Sequence, residues 1–124
     1  MKTSSYEEFV ISLLKKEKIK FVREKTFSDL KRGKFRFDFF IDGVQPIIIE
    51  VDGEFHWFPI FGRQQLLKQQ EHDRRKNAYC LAKGFKLYRI PYWELKTINT
   101  FKDLINEKFL VKSKYHNDML STPK

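Results

Sequence analysis

The chemistry in this sequence is concentrated between Phe35 and Trp57, where acidic residues interrupt two apolar runs with the composition of β-strands. Asp38 lies in the first run, and Glu50 and Asp52 end the second. Side chains alternate along a strand, so Glu50 and Asp52 share one face. Buried carboxylates are costly without a partner, and a divalent cation is a common partner for several of them. The cluster therefore predicts a metal site at the ends of two neighbouring strands.

The turn between these two strands decides whether the metal site can form. Asp42-Gly43 is a typical hairpin signal. A two-residue turn on this pair places Asp38 across from Ile47. A three-residue turn over 43–45 instead places Asp38 across from Glu50, with their Cβ atoms roughly 5 Å apart. Only the longer turn brings the two carboxylates together.

The surroundings of Asp38 and Asp52 complete this prediction. Strict alternation places Phe35, Phe37 and Phe39 on the face opposite Asp38. After the second strand, Gly53 allows a sharp turn and His56 returns an imidazole to the carboxylates.

The elements around this centre follow from helix and strand signals. Ser4 and Glu7 have capping-box spacing at the start of an amphipathic helix, so Glu7 is either a cap alone or also reaches a buried site. A first strand is predicted over 19–24, and a long polar helix over 63–83 ends at Gly84. A further strand follows over 85–91, and a last helix begins at Thr100. One face of the long helix is predicted to carry Asp73, Lys76, Asn77 and Cys80.

The order α-β-β-β-α-β-α predicts an α/β sandwich with a small mixed β-sheet flanked by helices. We expect a single domain over residues 1–111, in which the last helix buries Phe101, Leu104, Ile105 and Phe109. A basic, flexible tail is expected over 112–124.

Composition indicates what kind of partner and which compartment to expect for this chain. The chain has 124 residues and a formal net charge of +9, which favours a polyanion such as DNA. No apolar run approaches the roughly 20 residues of a membrane span, and no signal-peptide pattern is present. Cys80 is the only cysteine, so a reducing cytoplasm is the expected compartment.

The motif D-x(11)-E-V-D-G-x-x-H, followed by Asp73, a basic residue, Gly84 and Arg89, resembles the PD-(D/E)xK nuclease superfamily. The branch it resembles most contains the very-short-patch repair endonucleases and the EDxHD-type homing endonucleases, over about residues 4–94. The resemblance implies a restriction-endonuclease-like fold. It also implies a Mg²⁺-dependent DNA endonuclease, with Mn²⁺ as a substitute, encoded by a phage or mobile element and acting in a bacterial or phage-infected cell.

The resemblance also assigns roles to residues. Asp38 and Glu50 become the metal ligands. The candidate catalytic residues are Asp38, Glu50, Asp52, His56, Asp73 and Glu7. The candidate DNA-binding residues are Arg63, Lys68, Arg74, Arg75, Lys76, Trp57 and Arg89.

The chain departs from the superfamily pattern at two positions. Asp52 stands where the catalytic lysine is usual, and Phe37 stands where a proline usually precedes the first aspartate. Without that lysine, His56 is the natural group to handle the proton, because imidazole titrates near neutral pH.

Two other functions remain open at this stage. A DNA junction or branch resolvase would require a homodimer. A non-catalytic DNA-binding module on the nuclease fold would explain the missing lysine, although acidic residues repel phosphates unless a metal intervenes. The aromatic residues Phe55, Trp57, Phe58 and Phe61 either wedge into DNA or cover the small core.

Overall fold

The computed structural model of the chain describes residues 4–119, with side chains through Asp118. Four strands form one mixed sheet in chain order, in which the first three are antiparallel and the fourth is parallel to the third. The strands are β1 (Val22–Lys25), β2 (Phe37–Ile41), β3 (Ile47–Asp52) and β4 (Lys86–Pro91). The helices are α1 (Ser5–Lys16), α2 (Arg63–Lys83) and α3 (Phe101–Leu104). The predicted class, a mixed sheet flanked by helices, is confirmed.

Helix α1 begins with the predicted capping box. The Ser4 hydroxyl accepts a hydrogen bond from the Glu7 N–H at 3.1 Å, and the Glu7 carboxylate accepts one from the Ser4 N–H at 3.4 Å. These bonds satisfy backbone donors that a helix start otherwise leaves unpaired. The apolar stripe of α1 is buried through Val10, Leu13 and Leu14.

Helix α2 has the predicted limits but an unusual buried face. Asp73, Asn77 and Cys80 are its buried residues, so the side that packs on the sheet is largely polar. The helix ends at Gly84, which adopts a left-handed conformation with φ of 75°. Buried polar side chains need partners. The sheet must therefore supply charged groups opposite α2.

The two faces of the sheet bury different clusters. On the α1 side, the helix packs on residues of β2, β3 and β4, which include Phe39, Ile49 and Ile90. On the α2 side, Phe37, Phe40, Ile48, Leu87 and Val111 pack with Cys80. The buried layers thus hold the sheet between α1 and α2.

The predicted alternation of phenylalanines is wrong for two of the three residues. Phe39 faces α1, but Phe37 packs on the α2 side. The Phe35 ring also lies on that side, 4.8 Å from the ring of His72 in α2. Phe35 precedes β2, but Phe37 lies within it, so side-chain alternation is interrupted between Phe37 and Phe39, where β1 and β2 have no paired residues at Glu24 and Asp38.

The hairpin between β2 and β3 has the register of the longer turn. Phe39 pairs with Ile49, and Ile41 pairs with Ile47, around a connection over residues 42–46. Continuing this register places Asp38 opposite Glu50, as the metal-site hypothesis requires. The alternative pairing of Asp38 with Ile47 is excluded.

The limits of two elements differ from prediction. The first strand begins at Val22 rather than residue 19, because Lys18 adopts a left-handed conformation and the Ile19 N–H still bonds to Leu14. Helix α3 ends at Leu104, and Asn106 caps a separate turn over Glu107–Phe109. Phe109 is nevertheless buried, as is Leu104.

The segment after residue 111, expected as a flexible tail, instead packs against α2 as far as the structure describes it. Asn77 donates a hydrogen bond to the Lys114 carbonyl, and Asn117 is buried. Residues 120–124 of the predicted tail lie outside the described residues. Between residues 4 and 119, no helix is long and apolar enough to cross a membrane.

The left-handed cap at Gly84 gives a test of the fold. An added Cβ at Gly84 meets no atom within 4 Å, so Gly84→Ala is strained through its positive φ alone. We expect Gly84→Ala to lower the free energy of unfolding in urea by about 1–2 kcal/mol. Gly43→Ala is the control, since Gly43 is equally open and has no positive φ. Equal effects at the two glycines would contradict the assigned cap.

Candidate active site

A cavity of about 540 Å³ opens at the edge of the sheet where β2 begins and β3 ends. The first turn of α1, the connection after β3 and α2 also border it. Five of the predicted residues line this cavity: Glu7, Asp38, Glu50, His56 and Lys76. The sheet and two helices therefore converge on one concave, charged surface.

Asp38 and Glu50 form the centre of the cavity. One Asp38 oxygen, Oδ2, accepts a hydrogen bond from the Val51 N–H at 2.8 Å, which fixes the side chain at the end of the strand pair. Burial, and then the negative charge of Glu50, raise the pKa of Asp38 well above its usual value. Like charges in contact disfavour simultaneous ionisation. Ionisation of both carboxylates at once is therefore unfavourable in the absence of a cation.

Lys76 reaches this pair from α2. Its Nζ lies 2.8 Å from Oε1 of Glu50, and only 14% of its side chain is exposed. Burial opposes ionisation of Glu50, but Lys76 and Arg89 outweigh that effect and lower the pKa of Glu50. Glu50 is therefore the ionised member of the carboxylate pair, and Lys76 is its counterion.

His56 is oriented by a second carboxylate on α2. Its Nδ1 lies 2.7 Å from Oδ2 of Asp73 and 3.6 Å from Oδ1 of Asp52. Burial lowers the pKa of His56, but Asp52 and Asp73 outweigh it and leave the pKa above its usual value. With Nδ1 directed at Asp73, Nε2 is the nitrogen left for the cavity.

A buried charge network lies beneath the cavity, around Arg89 of β4. The guanidinium donates to Asp52 at 2.7 Å, to Asn77 at 2.6 Å and to the Asp73 carbonyl at 3.4 Å. Asn117 donates to both Asp52 and Asp73, at 3.1 and 3.2 Å. Burial alone would raise the pKa of Asp73, but Arg89 and His56 outweigh it and hold that pKa at about 2. This network joins β3, β4, α2 and the C-terminal segment.

The donor set at the centre fits a divalent cation of the Mg²⁺ type. Across the described side chains, no group of three His, Cys, Asp or Glu residues is arranged to hold a metal ion. Mg²⁺ is usually bound through one or two carboxylates, with waters and substrate phosphates as its other ligands. The adjacent carboxylates of Asp38 and Glu50 match that need, and burial together with the charge of Glu50 raises the pKa of Asp38.

Glu7 lies at the rim of the cavity and is already paired. Its Oε1 accepts from Arg23 of β1 at 2.7 Å, while Oε2 serves the capping box with Ser4. The preceding residue, Tyr6, donates a hydrogen bond to Glu54, and its ring stacks on Tyr92. Glu7 thus fixes the start of α1 against the sheet, in addition to bordering the cavity.

Several predicted roles are corrected by position. Asp52 is fully buried and bonded to Arg89 and Asn117, so it does not line the cavity. Asp73 is also buried, and its carboxylate contacts His56. Arg89, predicted to bind DNA, is 1% exposed, because its charge compensates the buried carboxylates. Trp57 is 7% exposed and packs on Trp93, so it covers the core rather than wedging into DNA.

The other predicted DNA-binding residues lie along α2. Arg63, Lys68 and Arg75 are exposed. Arg74 is partly engaged, since it pairs with Asp118 at 2.9 Å and Glu71 at 3.6 Å. Lys76 faces the carboxylates instead of the exterior. The remaining aromatic candidates, Phe55, Phe58 and Phe61, are exposed by 50%, 37% and 72%.

Sequence reasoning missed three contributions to the site. Gln69 donates to Asp73 at 3.1 Å, and its position one helical turn earlier was a usable signal. Lys76 was placed on the correct helix face, but no local pattern indicated that it meets Glu50. Asn117 carries no signal, because it reaches the network from the distant C-terminal segment.

Comparison with known proteins finds no relative of this chain. No family model, no curated protein sequence and no solved structure matches this chain.

The buried network predicts a large stability difference between two arginine substitutions. Arg89→Met leaves Asp52 and Asp73 buried without their main partner, so we expect a loss of about 3–5 kcal/mol in the free energy of unfolding. Arg36→Met is the matched control, because Arg36 is 55% exposed in its side chain and pairs with Glu24 only at 4.0 Å. Its loss should be at most about 1 kcal/mol. Similar losses in urea denaturation would contradict the buried network.

Proposed function

We propose that this chain is a Mg²⁺-dependent DNA endonuclease with a restriction-endonuclease-like fold, similar to the very-short-patch repair and EDxHD homing endonucleases. The observation that carries the proposal is the β2–β3 register, which brings Asp38 opposite Glu50 at an open cavity. The net charge of +9 supports a polyanionic substrate. A cation held by Asp38 and Glu50 would neutralise a phosphate and acidify water near it.

The chain's own groups support hydrolysis of a phosphodiester. The neutral Nε2 of His56 would accept the proton of the attacking water, whose oxygen bonds to phosphorus as the phosphorus–oxygen bond to the leaving deoxyribose breaks. Asp73 holds the ring and stabilises the imidazolium that forms. Lys76 places a positive charge beside Glu50, where it would also stabilise negative charge on the phosphate.

The position of Lys76 bears on the competing binding-module hypothesis. That hypothesis was favoured by the absence of a lysine at position 52. An ammonium group nevertheless lies at the carboxylate pair, contributed by α2 instead of β3. Lys76 therefore supplies the positive charge that a lysine at position 52 would have supplied, and this supports the catalytic proposal over the binding module.

The first test is removal of a metal ligand. Asp38→Asn should abolish Mg²⁺-dependent cleavage of plasmid and linear DNA, because the amide is a poor ligand for the cation. The fold should persist, since the change removes repulsion between Asp38 and Glu50. EDTA should stop wild-type cleavage, and Mg²⁺ or Mn²⁺ should restore it.

The matched control for that variant is Asp42→Asn in the hairpin, where an amide oxygen can still accept the Gly43 N–H bond. It should cleave like the wild type. Full activity of Asp38→Asn, or wild-type cleavage that persists in EDTA, would overturn the proposal. A panel of linear, mismatched, branched and single-stranded substrates would separate the endonuclease from a junction resolvase.

The second test concerns the proton acceptor. His56→Ala should lower single-turnover cleavage by roughly 10²–10⁴-fold while DNA binding persists. The base must be neutral, and the pKa of His56 lies above its usual 6.5. The wild-type rate should therefore rise with pH and level off only above that value. His72→Ala is the control, and it should keep both the rate and the profile. An unchanged profile in His56→Ala would assign the base elsewhere.

A further inference from the structure

The connection between β1 and β2 carries a basic turn that no role assigned so far explains. The turn over 31–34, with the sequence Lys-Arg-Gly-Lys, exposes the side chains of Lys31, Arg32 and Lys34. Within the described part of the chain, no carboxylate forms an ion pair with these three cations. The neighbouring Asp29 is neutralised separately by Lys83, at 2.6 Å. The basic turn therefore presents an uncompensated positive charge to the exterior.

This basic turn is anchored on both sides. Before it, the Phe27 ring packs against Tyr79 and Phe85, with centroids 5.3 and 5.4 Å apart. Asp29 accepts a hydrogen bond from the Tyr79 hydroxyl at 2.6 Å. After it, Phe35 is buried. The cations thus project from a fixed support, which reduces the entropy lost when they bind a ligand.

The backbone of the basic turn is strained at its charged residues. Lys31 and Arg32 have φ of 50° and 53°, and Gly33 follows with φ of 75°. Glycine and asparagine adopt this left-handed region at low cost, whereas lysine and arginine do not. Strained residues of this kind concentrate at ligand-binding sites. Here the strain falls on the residues that carry the exposed charge.

The length of chain between the basic turn and Asp38 limits how far the turn lies from the carboxylates. Lys25, the last residue of β1, pairs with Phe37 at the start of β2, so the intervening connection leaves the sheet next to Asp38. Asp38 follows Arg32 by six positions. A fully extended chain rises roughly 3.3 Å per residue, so the two residues lie at most about 20 Å apart. That distance corresponds to at most about six nucleotide steps at roughly 3.4 Å each.

We infer that the basic turn is a second phosphate-binding site, which holds the DNA backbone a few nucleotides from the phosphate at Asp38 and Glu50. The inference rests on the proposed function, and it assigns to this turn a contact that positions the duplex for the central site. DNA is the fitting partner because it presents phosphates repeatedly within this span.

The strained lysine allows a matched test. Lys31→Gly removes one charge and relieves one left-handed residue. Lys18→Gly makes the same change at an exposed lysine with φ of 57° beyond the far end of α1. The first turn of α1 borders the cavity, and its 12 residues place Lys18 roughly 18 Å away. Only the change at Lys31 should affect the binding of DNA.

The experiment measures binding of a fluorescent duplex by anisotropy in EDTA at several salt concentrations. Relative to the wild type, Lys31→Gly should lower the slope of log affinity against log salt by roughly 0.9, and Lys31→Gly/Arg32→Gly by roughly 1.8. At 0.1 M salt, each lost contact should weaken binding by roughly 8-fold. Lys18→Gly should match the wild type. Thermal unfolding should show no loss of stability, because strain is removed.

The outcomes separate this inference from the proposed function. A double variant with the slope of Lys18→Gly overturns the inference, even if the wild type cleaves DNA in Mg²⁺. A lowered slope in a protein that never cleaves supports the inference and refutes the nuclease. A wild type that binds no duplex overturns both. Should the glycine variants fail to fold, Lys31→Asn/Arg32→Asn provides the same test, because asparagine tolerates the left-handed region.

Discussion

The buried guanidinium of Arg89 is the interaction on which the rest of the structure depends. It contacts Asp52 on β3 and both Asn77 and the Asp73 backbone on α2, with almost no exposure to water. Charges in an interior are tolerated only when they are paired and hydrogen-bonded. Any displacement of α2 relative to the sheet would separate these partners. The network therefore fixes α2, and with it Lys76, whose side chain reaches the cavity.

Two buried aspartates, Asp73 and Asp38, acquire opposite properties from their surroundings. Asp73 meets Arg89 and His56, so its pKa falls to about 2 and it remains ionised. Asp38 meets Glu50 and burial without enough positive charge, so its pKa rises. Burial raises the pKa of Asp52 as well, despite Arg89, but Asp52 is bonded to Arg89 and Asn117, whereas Asp38 and Glu50 border the open cavity. This difference explains why Asp52, although close in sequence to Glu50, belongs to the buried network.

Local rules were sufficient for much of the architecture. The limits of α2 were predicted from its composition and from Gly84, whereas the longer hairpin register was one of two alternatives and was required by the metal-site hypothesis. Long-range pairing was not accessible in the same way. Arg89 was predicted to bind DNA, and nothing near it in sequence carries the charges that it compensates. Asn117 lay in a segment whose composition predicted a tail, yet it bonds to Asp52 across 65 residues.

The proposed site also shows that a charge acts through its distance in space, whichever element of the sequence supplies it. An ammonium group acts on Glu50 through distance, and α2 brings Nζ of Lys76 to 2.8 Å. Lys76 follows Asp73 by three residues, so one turn of a single helix carries both the group beside the carboxylate pair and the group that orients His56. In the proposed enzyme, a shift of α2 along its axis would displace both at once. The register of α2, held by Asn77 and Arg89, thus couples the proton acceptor to the carboxylate centre.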